Sequence, residues 1–278
     1  MILLLKNIWN MKSSIYSGLF FLLVFICSCG GNNSEDAGGV PDENALLIAQ
    51  LQQKVQLNPD SLGARYQLMN AMAQGGKYKE ALLQNDTLMA EDTANAALWY
   101  RRGDMLLQTG DSANGIHALE RAVEVAPAFA EPQLQLAAIY AGRSHADALQ
   151  LTDRIIAMSQ EARTTSQAYF IKGLYYSNIN KTDKALAQFD ECLKTDYTFL
   201  DAYIEKGLLL YDKQRYMEAL AVFERAIQVS NTFAEAYFQA GRCQEAMDSK
   251  ENAKAYYQKA LGLDKDFEAA REALKKVE

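Results

Sequence analysis

Proline is scarce in this chain: four residues in 278. A proline inside a helix removes a backbone donor and clashes with the preceding turn, so its scarcity leaves room for many long helices. The strand and hairpin signals, alternating apolar and polar residues closed by Asn-Gly or Asp-Gly, are missing. No Lys/Arg-rich block occurs and the formal net charge is −7, which excludes the clustered basic surface that nucleic acid requires. His117 and His145 are the only histidines. Neither has a partner at metal-ligand spacing, and there is no H-E-x-x-H helix, no G-x-S-x-G elbow and no phosphate-binding glycine loop. "QGGKYK" at 74–79 reads as a turn between helices. The expectation is an all-α chain with no cofactor, no metal and no catalytic constellation. With 49% hydrophobic residues, it can build one large domain, two ordinary ones or a repeat array.

Cysteine is also rare, yet two of the four lie together in "FICSCGGNNSED", residues 25–36. The apolar run from Ile15 to Cys29 carries no charge. It falls short of the about 20 residues that span a bilayer and matches the apolar core of a signal peptide, with Lys12 or Lys6 supplying the positive start. Met1 and Met11 are both candidate first residues. A Cys27–Cys29 disulfide would be strained at that spacing, and no His or Cys nearby completes a metal site. The tetrad Ile26-Cys27-Ser28-Cys29 resembles the bacterial lipobox. That resemblance implies a lipoprotein signal peptide over 1–28, cleavage before Cys29, and diacylglycerol on its thiol with acylation (palmitate) of the new N-terminus. The alternatives are an uncleaved signal anchor and a plain secretory signal. Two or more acyl chains hold a protein stably on a membrane. Residues 1–28 carry Lys6 and Lys12 and no acid, so their removal takes the charge from −7 to −9. Anionic lipid will not retain such a protein, and the acyl group must. Residues 29–43 form the acylated Cys and a flexible tether, whose thirteen residues 30–42 reach at most about 45 Å.

The remainder repeats one motif. Aligning "YKEAL" (78–82), "DKALAQF" (183–189) and "YMEALAVF" (216–223) starts units at Leu62, Ala96, Ala130, Ser166, Leu200 and Ala234, spaced 34, 34, 36, 34 and 34 residues. Position 4 holds Trp99, Tyr169, Tyr203 and Tyr237; position 8 holds Gly103, Ala137, Gly173, Gly207 and Gly241. Position 20 holds Ala81, Ala185, Ala219 and Ala253, position 24 Phe189, Phe223 and Tyr257, and position 27 Ala122, Ala226 and Ala260. Pro59 and Pro127 occupy position 32. Small residues at 8, 20 and 27 permit close helix approach, the aromatics at 4 and 24 fill the space left, and Pro at 32 ends the second helix. Glycine inside a helix costs about 1 kcal/mol relative to alanine, so its recurrence at one position marks a packing requirement. This pattern resembles the tetratricopeptide repeat, two antiparallel helices per 34-residue unit. The expected architecture is an all-α solenoid over 44–278, of six helix-turn-helix units with a capping helix at each end (44–57 and 267–278). The first unit departs most, with Arg65, Met69 and Asn85 at positions 4, 8 and 24. The third loses a residue in "AGRSHADAL" and exits through an extended "SQEARTT" (159–165), where a looser joint is expected.

In the family resembled, positions 2, 5, 9, 12 and 13 of the first helix commonly face a concave groove. Position 5 gives Tyr66, Tyr100, Leu134, Phe170, Ile204 and Phe238; position 9 gives Asn70, Asp104, Ala138, Leu174, Leu208 and Arg242; position 12 includes Leu107 and Tyr211. The lysines with which some members clamp a partner's C-terminal carboxylate are missing. The position 5 stripe reads either as packing between repeats or as a hydrophobic groove for an extended segment or an amphipathic helix. The candidate partner-binding residues are Tyr100, Leu107, Phe170, Leu174, Ile204, Leu208 and Tyr211, with Cys29 as the lipidation site. The resemblance implies a non-enzymatic scaffold of the bacterial cell envelope, held to the outer membrane by its lipid. It would bind other envelope proteins in an outer-membrane assembly, secretion or cell-wall complex. Two alternatives stand beside it: an envelope enzyme using scattered acids and tyrosines, and a soluble periplasmic peptide-binding module.

Overall fold

The computed structural model describes residues 43–278, and these form fourteen helices and no strand. The signal segment 1–28, Cys29 and the tether 30–42 lie outside the described residues. The helices are α1 Glu43–Leu57, α2 Leu62–Gln74, α3 Tyr78–Glu91, α4 Ala96–Gln108, α5 Ser112–Val125, α6 Ala130–Gly142, α7 Asp147–Met158, α8 Ala162–Asn178, α9 Thr182–Thr195, α10 Leu200–Asp212, α11 Tyr216–Val229, α12 Ala234–Ala246, α13 Lys250–Leu263 and α14 Glu268–Val277. Two compact units result, one ending at Pro132 and the other comprising Gln133–Glu278. The division falls within α6, upstream of "SQEARTT". That stretch is less extended than its composition suggests: α8 begins at Ala162, four residues ahead of Ser166, so the added residues become a first helical turn.

Six hairpins α2–α3, α4–α5, α6–α7, α8–α9, α10–α11 and α12–α13 close through one turn. The residue at position 15 is left-handed in all of them: Gly76 (φ 73), Gly110 (φ 87), Ser144 (φ 57), Asn180 (φ 58), Gln214 (φ 59) and Asp248 (φ 59). The next amide then donates to a carbonyl five residues back, as in Lys77 N–H to Met72 O (2.9 Å), Arg215 to Leu210 (2.9 Å) and Ser249 to Gln244 (2.9 Å). This satisfies the carbonyls that the first helix leaves open at its end. The turn thus needs a left-handed residue, which glycine supplies freely and a residue with a Cβ only at a cost.

Within a hairpin, a ring lies flat on a missing side chain. A Cβ on Gly173 would come within 2.5 Å of the Phe189 ring, and one on Gly241 equally close to Tyr257. The rings are fully enclosed, as are Ala185, Ala219 and Ala253 at position 20. In the first hairpin the sizes trade places. Met69 fills position 8 and the smaller Asn85 sits at position 24, both fully buried, with the Asn85 amide donating to the Leu98 carbonyl at 3.1 Å. The core of the first unit gathers Ile48, Leu68, Met69, Met72, Leu88, Leu98 and Met105. That of the second includes Tyr203, Ile204, Leu210, Phe223, Ala236 and Cys243.

Position 4 does something other than fill space. In most of the repeats, though not at Tyr169, its side chain donates to the carbonyl six residues earlier, in the loop that enters the helix. Trp99 reaches Thr93 O (2.9 Å), Tyr203 reaches Tyr197 O (3.1 Å) and Tyr237 reaches Asn231 O (3.2 Å). Arg65 makes the same bond to Pro59 O (3.1 Å) and Arg271 to Lys265 O (2.5 Å). Position 4 therefore selects a long side chain with a donor, and Arg65 conforms. Between neighbouring hairpins a cation at position 7 meets an aspartate of the preceding helix: Arg102 with Asp86, Lys172 with Asp153 and Lys206 with Asp190. In α12 that position is Ala240, and Glu224 instead accepts from the Tyr256 hydroxyl at 2.8 Å.

Gln214→Gly relieves a left-handed residue whose side chain is exposed. It should raise stability by about 1 kcal/mol, measured as a shift in urea midpoint without change in slope.

Candidate functional site

In the second unit the first helices of successive hairpins touch directly: α8 meets α10, and α10 meets α12. Equivalent positions therefore line up side by side. Position 9 gives a row of Leu174, Leu208 and Arg242, all partly exposed. Position 12 adds Tyr211, whose ring lies 4.4 Å from the Arg242 guanidinium and 5.1 Å from the Tyr216 ring. Arg242 also donates to Gln239 Oε1 at 2.8 Å, and Gln239 Nε2 donates to Glu235 at 2.5 Å. The guanidinium is thereby held over the tyrosine ring, at a distance at which the cation is attracted to the π face.

The predicted contact residues separate into two groups. Phe170 and Ile204 are 5% and 7% exposed. Phe170 stacks between Phe199 at 5.0 Å and Phe189 at 5.9 Å. Phe238 repeats the arrangement with Phe267 at 5.0 Å and Tyr257 at 5.9 Å. Tyr100 meets Phe129 edge-on at 5.5 Å, and burial pushes its hydroxyl pKa up, aided by Asp104. The position 5 stripe in these hairpins is thus packing, because each ring closes the gap between its own hairpin and the loop leading to the next. Leu107 seats against Gly115 within its hairpin. Leu174, Leu208 and Tyr211 remain partly accessible. Tyr100 and Leu107 belong to the first unit, and the other five to the second.

Glu205 was not among the residues singled out from the sequence. It lies one turn after Asp201 and two turns before Asp212, on the face that carries Leu208. Burial, with Asp201 and then Asp212 adding repulsion, pushes its carboxyl up to about 7. The i, i+4, i+11 spacing of acids along 201–212 was a legible signal; the degree of burial was not.

Cys192 and Cys243 are fully buried and unpaired, and burial pushes both thiols up to about 12. They serve as small packing residues. His117 is exposed, and His145 stacks against Tyr140 at 5.0 Å with Asp147 at 3.6 Å. Among the described residues no three His, Cys, Asp or Glu side chains converge to hold a metal ion, and no helix is long and apolar enough to cross a membrane.

A model of the tetratricopeptide repeat matches residues 96–129 and 234–267, and a second model of the same repeat matches 170–232. The chain carries tetratricopeptide repeats, and its fold is the all-α solenoid of that class. No curated protein sequence matches it. Among solved structures it is similar to a tetratricopeptide repeat protein from Parabacteroides merdae, with TM-score 0.64 and 17% identity over 84% of this chain and 92% of that one. It is similar to PilW, described as a widely conserved type IV pilus biogenesis factor, with TM-score 0.65 and 16% identity over 77% and 99%. Pseudomonas aeruginosa pilF gives TM-score 0.58 and 15% identity over 78% and 98%. At these identities the likeness is one of fold.

The raised carboxyl carries a stability signature. A carboxyl whose folded pKa exceeds its unfolded value destabilises the fold as pH rises through the folded pKa, and is neutral below the unfolded one. Glu205→Gln should therefore be more stable than the parent at about pH 8, by on the order of 1–3 kcal/mol. The difference should vanish below about pH 4.5, as read from urea unfolding across the range.

Proposed function

We propose that this protein is a lipid-anchored, non-enzymatic adaptor of the bacterial cell envelope that holds partner proteins on the face of α8, α10 and α12. The observation that carries the reading is the row Leu174, Leu208 and Tyr211, left partly exposed while Phe170 and Ile204 of the same helices are buried. Half-exposed apolar side chains aligned across adjacent rigid helices give a partner something to bury without rearrangement. Helical-hairpin repeats suit the task, because each unit adds surface without needing a common core. Phe170 and Ile204, both buried, support the face from beneath.

The anchor reading rests on the apolar run and the Ile26-Cys27-Ser28-Cys29 tetrad. Cys29 would be the acylated first residue of the mature protein, followed by the tether and the repeat domain over 44–278. The outer membrane is the preferred location, and the similarity to PilW supports an assembly role there by analogy of architecture alone. Two convergent, strongly perturbed carboxyls in a cleft would favour the envelope-enzyme alternative; Glu205, raised to about 7, is one such carboxyl.

Cys29→Ala should leave an unprocessed precursor and move the protein out of the detergent phase in a Triton X-114 partition; unchanged partition would rule out the anchor. Leu208→Asp should abolish recovery of a partner cross-linked in cells from a photoreactive residue at position 211, with the far-ultraviolet circular dichroism unchanged. Because Leu208 also touches the core, the milder Leu208→Ser is made alongside it. A variant that keeps its fold and its cross-links would refute the face.

A further inference from the structure

Among the described residues eight large apolar side chains are exposed, and four of them, Leu46, Leu47, Leu57 and Leu62, fall between positions 46 and 62. The other four stand singly on separate elements, as surface apolar residues commonly do. Helix α1 accounts for the concentration. Ile48, Leu51 and Val55 turn one side of it into the core of the first unit, against α2. Leu46 and Leu57 stand eleven residues apart, about three helical turns, so they share a second stripe with Gln50 and Gln53 between them. Leu47 and Lys54, seven apart, edge that stripe. Leu46, Leu47 and Leu57 are 49%, 43% and 73% exposed, and none of them belongs to the core of the first unit.

The place of α1 in the chain decides what can cover this stripe. The chain enters α1 from residues 30–42, which follow Cys29. A lipid on Cys29 would keep the start of α1 within about 45 Å of the bilayer. An apolar surface tethered so closely meets the lipid at high effective concentration. Asn44, in the first turn of α1, donates to Ala71 O at 3.3 Å and lies against Gly75. The entry end of α1 therefore adjoins the α2–α3 turn, where Lys77 and Lys79 are exposed. From Glu43 to Ala81 four bases meet three acids, a net +1, whereas from Leu82 to Glu278 22 bases meet 29 acids, a net −7. An anionic lipid surface repels the acidic remainder and not this corner.

We propose that α1 lies along the lipid surface of the membrane to which the chain is anchored, with Leu46, Leu47 and Leu57 entering the headgroup region. This inference rests on the anchor reading and adds to it the face by which the repeat domain meets the bilayer. The acyl chains supply retention. The leucines supply orientation, because a stripe this small, without a strongly basic face, holds lipid only weakly by itself.

The test uses the full acylated protein in vesicles of phosphatidylethanolamine and phosphatidylglycerol. An environment-sensitive fluorophore is attached through Gln50→Cys, within the stripe, or through Glu251→Cys, an exposed control on α13. Cys192 and Cys243 are buried and escape labelling. The label at 50 should shift to shorter wavelength and be quenched by nitroxide-bearing lipid, and the label at 251 should do neither. Leu46→Gln combined with Leu47→Gln should lose both signals at 50 while the protein still floats with the vesicles and keeps its circular dichroism. Leu83→Gln, an exposed leucine on α3, should change nothing. An equal response at 50 and 251, or quenching that survives the double variant, overturns the proposal. So does a shift at 50 that appears without vesicles in the Cys29→Ala protein and grows with its concentration, which assigns the stripe to a second copy of the chain. A parent that fails to float refutes the anchor and the seat together; a parent that floats with 50 and 251 alike refutes the seat alone.

Discussion

The fold depends on how closely two helices of one hairpin can approach. In α8–α9, α10–α11 and α12–α13 a ring lying on a glycine sets that distance, and a left-handed residue at the turn closes each hairpin. The two constraints are coupled. If the turn opened, Phe189 could not lie on Gly173, and if Gly173 carried a methyl group the turn could not close without displacing the ring. The rest is arranged around this contact: position 5 side chains plug the gap behind the ring, and position 4 donors tie the entering loop to the helix that follows.

Much of this was legible in the sequence because the repeat reports each position several times over. The alternation of small and aromatic residues at positions 8, 20 and 24 was readable for that reason. What the sequence concealed were features defined by geometry. The position 15 conformation was hidden because Ser144 and Gln214, unlike Gly76, Gly110, Asn180 and Asp248, are not residue types that favour a positive φ. The role of position 4 was hidden because tryptophan, tyrosine and arginine resemble each other only as long side chains ending in a donor. Met69 with Asn85 looked like a departure and is the same packing with its volumes exchanged. The position 5 stripe left packing and groove both open; the aromatic partners Phe199 and Phe267, from the following loop, show packing where Phe170 and Phe238 stand.

The candidate face was only half legible. Leu174, Leu208 and Tyr211 could be named from their positions, but the placing of Arg242 over Tyr211 and the burial of Glu205 depend on how adjacent first helices abut. Sequence offsets within one repeat cannot report contacts between repeats, and the face consists of such contacts.

The two enclosed thiols have a consequence of a different kind. Cys192 lies on the second helix of one hairpin and Cys243 on the first helix of another, each shut away and hard to ionise. A thiol reagent can reach either one only when its own surroundings loosen. The chain thus carries two native reporters, and the pace at which each is modified measures, separately, how often two segments of the same array come apart.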